Sequence, residues 1–190
     1  MPLKIYLFRH GQSTYNRDKR FTGWNDAKLT KLGIKQAKII AKQLKTKKID
    51  VAFQTHLSRS KDTLKEVLKF HPECLLIIED DRMLERNYGN LNGHSHSTII
   101  KKYGQEKFDL WHRGFNSPPP KGESFAMVEK RVKPFIKDLI KFMKSENINV
   151  AISAHGNSIR LFRKIMEKAS VSETVKWTIP YDKYFVYDIK

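Results

Sequence analysis

A chain of 190 residues, 39% hydrophobic and 30% charged, can build one folded core, which excludes a disordered or fibrous protein. No apolar run is long enough to cross a bilayer, and the single cysteine, Cys74, excludes an intramolecular disulfide or a cysteine-rich zinc site. The net charge of +17 suits anionic partners, polymeric or small, but the lysines are spread along the chain rather than gathered in one block.

No repeat, low-complexity tract or linker divides the sequence, so one domain over residues 1–190 is expected. The N-terminus lacks a signal-peptide pattern, which predicts a cytoplasmic protein with no membrane partner. Residues 3–8 have the length and bulk of a buried strand, and Arg9-His10-Gly11 ends it. Gly11 permits a sharp turn and a close approach to a ligand, and the residues after it can offer backbone N–H groups to an anion.

Residues 20–26 read as a loop, after which Thr30 caps a helix carrying Ala37, Ile40, Ala41 and Leu44 at helical spacing. A second strand is expected at 50–54, a helix at 58–70 and a third strand at 75–79. A turn-rich stretch, 84–93, leads to two helices at 98–103 and 106–113, and Pro118-Pro119-Pro120 marks a stiff surface crossing. The long amphipathic helix beginning near Ser124 contains Pro134, which should kink it. A fourth strand at 149–153 ends at Ala154-His155-Gly156-Asn157, and a last strand covers 184–189. Strands alternating with helices predict an α/β protein, a three-layer sandwich whose mostly parallel sheet carries its site at the strands' carboxyl ends. Both His10 and His155 fall there.

Covalent phosphoryl transfer needs a nucleophile, cationic donors around the moving phosphoryl group, and an acid for the leaving oxygen. His10 suits the first role, because a neutral imidazole attacks with one nitrogen when a backbone carbonyl holds the N–H of the other. Arg9 beside it can give paired hydrogen bonds to phosphate oxygens.

Residues 9–16 resemble the signature of the histidine phosphatase superfamily, in its phosphoglycerate mutase branch. Further motifs in the same order extend the resemblance over nearly the whole chain: Phe21-Thr22-Gly23-Trp24, residues 55–63, Glu85-Arg86 with Tyr88-Gly89, Trp111 with Arg113, and Gly122-Glu123-Ser124. It implies Arg59 as a second arginine at the phosphoryl site, His155 as a second, protonated histidine, and Glu85 as proton donor and acceptor. It further implies that Ser13, Asn16, Thr22, Gly23, Arg86, Tyr88, His96, His112, Arg113, Gly156 and Asn157 bind the phosphate or carboxylate groups of phosphoglycerates.

The implied reaction interconverts 3-phosphoglycerate and 2-phosphoglycerate, in glycolysis and gluconeogenesis, primed by 2,3-bisphosphoglycerate and without a metal. His96 and His112 stand where the family usually has a lysine and the first of two arginines, so a charge titrating near neutrality replaces a permanent one. That predicts a weaker grip and a loss of activity as pH rises. The chain ends directly after its last strand, where many mutases continue into a tail that excludes water, so leakage to hydrolysis is expected. A histidine phosphatase acting on phosphoglycerates or other small phosphate esters is the alternative. A nucleic-acid-binding module is the weaker reading, because the charge is not accompanied by an aromatic-basic recognition motif. A homo-oligomer is compatible with the sequence and is not fixed by it.

Overall fold

Strand β1 (Leu3–Arg9) lies inside the sheet and buries both of its faces. Ile5 and Leu7 enter one hydrophobic cluster while Tyr6 and Phe8 enter another, the alternation a pleated strand imposes. The computed structural model describes residues 2–190. It places β1 in a five-stranded sheet with β2 (Val51–Gln54), β3 (Leu76–Glu79), β4 (Val150–Ala154) and β5 (Tyr184–Ile189), in the order β3-β2-β4-β1-β5. The first four are parallel, and β5 runs antiparallel to β1.

Helices α2 (Lys31–Leu44) and α3 (Ser58–Leu68) cover one face, setting Ile40, Ala41, Leu44, Leu64 and Val67 against Tyr6 and Phe8. Helices α6 (Phe125–Glu146) and α7 (Gly156–Glu167) cover the other with Val128, Val132, Phe135, Ile159 and Phe162. This is the expected three-layer sandwich. Thr30 caps α2 by accepting from the Gly33 N–H at 3.0 Å, and Ser124 caps α6 through the Met127 N–H. Helix α6 runs on through Pro134, so the proline does not end the helix in which it predicts a kink.

Gly11 serves a different purpose from the one its position suggests. A Cβ there would lie 2.1 Å from the Gly33 carbonyl oxygen, and one on Gly33 would lie 2.1 Å from that of Gln12. The paired glycines let the turn after β1 press onto the first turn of α2, so the close approach is to backbone rather than to ligand. Strand β3 forms the sheet edge, where Leu76 and Ile77 are about half exposed.

The remaining short helices are α1 (Thr14–Arg17), α4 (His96–Tyr103), α5 (Gln105–Arg113) and α8 (Val171–Lys176). Helices α4 and α5 join the 84–93 turns around a small core of their own, Phe21, Tyr88, Leu91, Ile99 and Phe108. No helix among the described residues is long and apolar enough to cross a membrane.

Candidate active site

The pairing of β1 with β4 sets Arg9 beside Ala154, and the His10 N–H donates to the Ala154 carbonyl at 3.0 Å. One residue beyond each strand end, the rings of His10 and His155 therefore stand 5.0 Å apart, centroid to centroid. Nδ1 of His10 lies 2.7 Å from the carbonyl oxygen of its neighbour Gly11. A carbonyl can only accept, so Nδ1 carries the proton and Nε2 keeps its lone pair. Nε2 makes no hydrogen bond to the described residues, which leaves it ready to attack. His155 places Nε2 2.8 Å from Thr55 Oγ1, while its buried Nδ1 has no partner.

Burial, reinforced by Arg59, holds both histidines well below their ordinary protonation range. This suits a nucleophile and corrects the expectation for His155. It is a neutral imidazole in the free protein, because the two rings share one dry site with two guanidinium groups.

Those guanidinium groups are held from behind. Arg9 donates through Nη1 to the Ile179 carbonyl at 2.9 Å, and its plane lies 4.0 Å from the Tyr181 ring centroid. Arg59 donates to the carbonyls of Asn25 and Gly23, both at 2.8 Å, and is fully buried. Burial lowers the Arg59 pKa to about 10, with Glu85 and Asp26 pulling the other way, so it remains a cation at neutral pH. The helix that carries it begins under Asp26, whose carboxylate accepts from both the N–H and the hydroxyl of Ser58 at 2.8 Å.

Nε of Arg9, Nε of Arg59 and Nδ1 of His155 are buried without a protein partner, as is Nε of Arg160. An unmet buried donor costs about 1–3 kcal/mol, a cost that an anionic ligand reaching these groups would offset.

Glu85 is the carboxylate of the site. Its Oε1 accepts from the backbone N–H groups of Arg86 at 2.7 Å and Asn157 at 3.1 Å, the latter in the first turn of α7. Arg131 and the Trp24 indole donate to the Glu85 carbonyl, fixing the backbone that presents the side chain. Tyr88 receives a hydrogen bond from Asn157 Nδ2 at 2.9 Å.

A cavity of about 290 Å³ opens in front of these groups. Of the residues expected from sequence, Arg9, Asn16, Thr22, Glu85, Tyr88, His96, His112, Arg113, Gly156 and Asn157 line it. His10, Arg59 and His155 are buried outside that lining.

Three more of the expected residues lie outside the cavity lining. Ser13 is buried and caps α1, exchanging hydrogen bonds with Asn16. Gly23 offers its carbonyl to Arg59. All three guanidinium nitrogens of Arg86 donate to backbone carbonyls, of Glu123, His112 and Trp111, so this buried arginine ties α5 and the Glu123 turn to the site and does not face the cavity.

Sequence reasoning missed Lys19, Arg20, Arg160 and Tyr181, all of which line the cavity. Arg160 alone had a legible signal, since it stands three residues after Asn157 on the same helical face.

The family model for the histidine phosphatase superfamily (branch 1) matches residues 5–189. The chain belongs to this superfamily. It is 36% identical over its whole length to a 2,3-bisphosphoglycerate-dependent phosphoglycerate mutase of Parvibaculum lavamentivorans, covering 91% of that protein. It is 35% identical to a phosphoglycerate mutase of Schizosaccharomyces pombe, covering 99% of this chain and 90% of that one. Solved structures of similar fold include an α-ribazole phosphatase from Shigella flexneri, with a TM-score of 0.86, 22% identity and coverage of 99% and 91% of the two chains. Another is a mycobacterial glucosyl-3-phosphoglycerate phosphatase, with a TM-score of 0.85, 23% identity and coverage of 97% and 90%.

His96 and His112, both expected to titrate near neutrality, form a pair. Their ring centroids are 5.2 Å apart and both pack on Phe21 and Phe108. Burial, then Arg113, drives His112 down to about 3, and burial with Lys19 and Arg113 lowers His96. The expected titration near neutrality is therefore corrected. Both are neutral in the free protein because they sit among aromatic rings and permanent cations.

Proposed function

We propose that the protein is a 2,3-bisphosphoglycerate-dependent phosphoglycerate mutase that interconverts 3-phosphoglycerate and 2-phosphoglycerate through a phosphohistidine on His10. The observation that carries this reading is a carboxylate and several permanent cations lining one cavity. Glu85 shares it with Arg9, Lys19, Arg20, Arg113 and Arg160. A mutase must hold a substrate with two anionic ends while a proton is moved at the hydroxyl between them. The whole-chain identity to proteins named as mutases supports the same reading.

Bisphosphoglycerate would supply the phosphoryl group that primes His10, and the unpartnered Nε donors of Arg9 and Arg59 are of the kind that would hold it. The Nε2 lone pair forms the bond to phosphorus as the phosphorus–oxygen bond to the glycerate breaks. Glu85, protonated, gives its proton to the leaving oxygen. The Gly11 carbonyl, which already accepts the Nδ1 hydrogen, stabilises the positive charge that develops on the imidazole. In the return step Glu85 removes a proton from the other hydroxyl, whose oxygen attacks phosphorus while the nitrogen–phosphorus bond breaks. Arg9 and Arg59 keep their charges throughout and lower the energy of the equatorial oxygens.

The test is one assay followed two ways. Protein is given 3-phosphoglycerate and a trace of 2,3-bisphosphoglycerate, and 2-phosphoglycerate and free phosphate are measured together. Rapid 2-phosphoglycerate formation that depends on the trace supports the mutase, and free phosphate as main product sinks it. The latter outcome would favour a phosphatase, a reading with its own support in His96 and His112, which line the cavity with lowered pKa values and so add no permanent charge to it.

A further inference from the structure

Segment 177–181, between α8 and β5, belongs to no motif, yet it walls the site. Thr178, Ile179 and Tyr181 line the cavity. The Ile179 carbonyl accepts from Arg9, the Tyr181 ring lies against the Arg9 guanidinium, and Gly156 also approaches it closely. A Cβ on Gly156 would come within 3.3 Å of the Arg9 guanidinium carbon.

Arg160 holds this wall. It is 4% exposed, donates through Nη2 to the Trp177 carbonyl at 2.7 Å and through Nη1 to Asn157 Oδ1. Asn157 in turn donates its N–H to Glu85, so one chain of hydrogen bonds joins the proton-transfer carboxylate to the wall over Arg9. Arg163 clamps the base of the segment, 4.0 Å over the Trp177 ring.

We propose that Tyr181, kept in place by Arg160, shields the Arg9 side of the phosphoryl site from water and so sets how much phosphohistidine is lost to hydrolysis. The inference rests on the phosphohistidine reading above. The unwanted step is simple. A water oxygen bonds to phosphorus, the bond from Nε2 breaks with its electron pair returning to the ring, the water's proton passes to Glu85 or solvent, and inorganic phosphate leaves. Arg9 Nε is already out of water's reach although no protein group partners it, and the half-buried Tyr181 ring lies over the same guanidinium and lines the cavity. Arg160 acts through other groups and is a positioning residue.

The test measures the lifetime of the phosphoenzyme. Full-length protein is labelled with radioactive 2,3-bisphosphoglycerate, freed of it, and left in buffer without acceptor while protein-bound label is followed. Tyr181→Phe keeps the ring and should match the wild type. Tyr181→Ala and Tyr181→Gln should shorten the lifetime by about three- to tenfold, the scale of one lost cation–π contact. Both should raise the ratio of free phosphate to 2-phosphoglycerate formed. Arg160→Gln should behave like Tyr181→Ala, with partial rescue in Arg160→Lys. Unchanged lifetimes in both Tyr181→Ala and Tyr181→Gln overturn the proposal and leave the phosphohistidine intact. A wild type that takes up no label overturns both.

Discussion

His10 and His155 are 145 positions apart in the chain, yet their rings face each other at 5.0 Å because β1 and β4 are hydrogen-bonded neighbours ending at the same level. The pairing of Arg9 with Ala154 fixes that level, and a one-residue slip would turn one of the two side chains to the opposite face of the sheet. The surroundings of His10 are thus a property of the sheet and not of a loop. Rigid placement of this kind suits chemistry that is mostly positioning and charge stabilisation.

Glu85→Gln separates proton transfer from binding. The amide oxygen can still accept from Arg86 and Asn157, so the local fold survives, but no proton can be given or taken. Turnover of phosphoglycerates should fall by about 10²–10⁴-fold. Release of 4-nitrophenolate from its phosphate ester should fall far less, because that leaving group needs no proton. Equal losses on both substrates would show that Glu85 serves only to hold the site together.

The pair His96 and His112 should make substrate grip insensitive to alkaline pH. Neither carries charge at neutrality in the free protein, so KM should not climb between pH 7 and 8.5 on their account. Restoring a permanent cation with His96→Lys should lower KM by about fivefold, the margin of a charge-assisted over a neutral hydrogen bond. A KM that rises steeply over that range in the wild type and not in His96→Lys would mean that bound substrate keeps His96 protonated.

Buried neutral histidines also shape stability. In the unfolded chain each takes up a proton near pH 6.5, whereas folded His10, His155 and His112 do not. Below that pH the unfolded state binds more protons, so the contribution of these groups is complete above pH 6.5 and is lost on acidification. Each costs about 1.4 kcal/mol per pH unit once well below its unfolded value. For His112 the loss continues down to about pH 3. Urea midpoints should fall steeply between pH 6.5 and 5, and His112→Phe, which keeps the packing on Phe21, should flatten the slope. A midpoint that does not move over this range contradicts the assignment of neutral buried rings.

Much of this was legible in the chain. The short apolar run at residues 3–8, the Thr30 cap and the strand ends near Arg9 and Ala154 are local signals, and each led to the correct element. What escaped depends on partners brought from far along the chain. Arg86 sits in a run of ligand-like residues, and only the carbonyls of Trp111, His112 and Glu123 reveal that its guanidinium is already engaged. Tyr181 and Lys19 are ordinary residues until the fold sets them around the cavity. Protonation was the least legible of all. His112 titrates far from neutrality because of the rings and cations around it, none of which its sequence neighbours disclose except Arg113.

The central claim is that His10 Nε2 becomes covalently phosphorylated. The direct measurement is brief exposure of the wild type and of His10→Ala to radioactive 2,3-bisphosphoglycerate, an alkaline quench, and peptide mapping of the bound label. The expected result is acid-labile, base-stable label on the peptide containing His10 in the wild type and none in His10→Ala, which should also lose transfer and hydrolysis together. Label that persists in His10→Ala, or that maps to His155 in the wild type, would contradict the account.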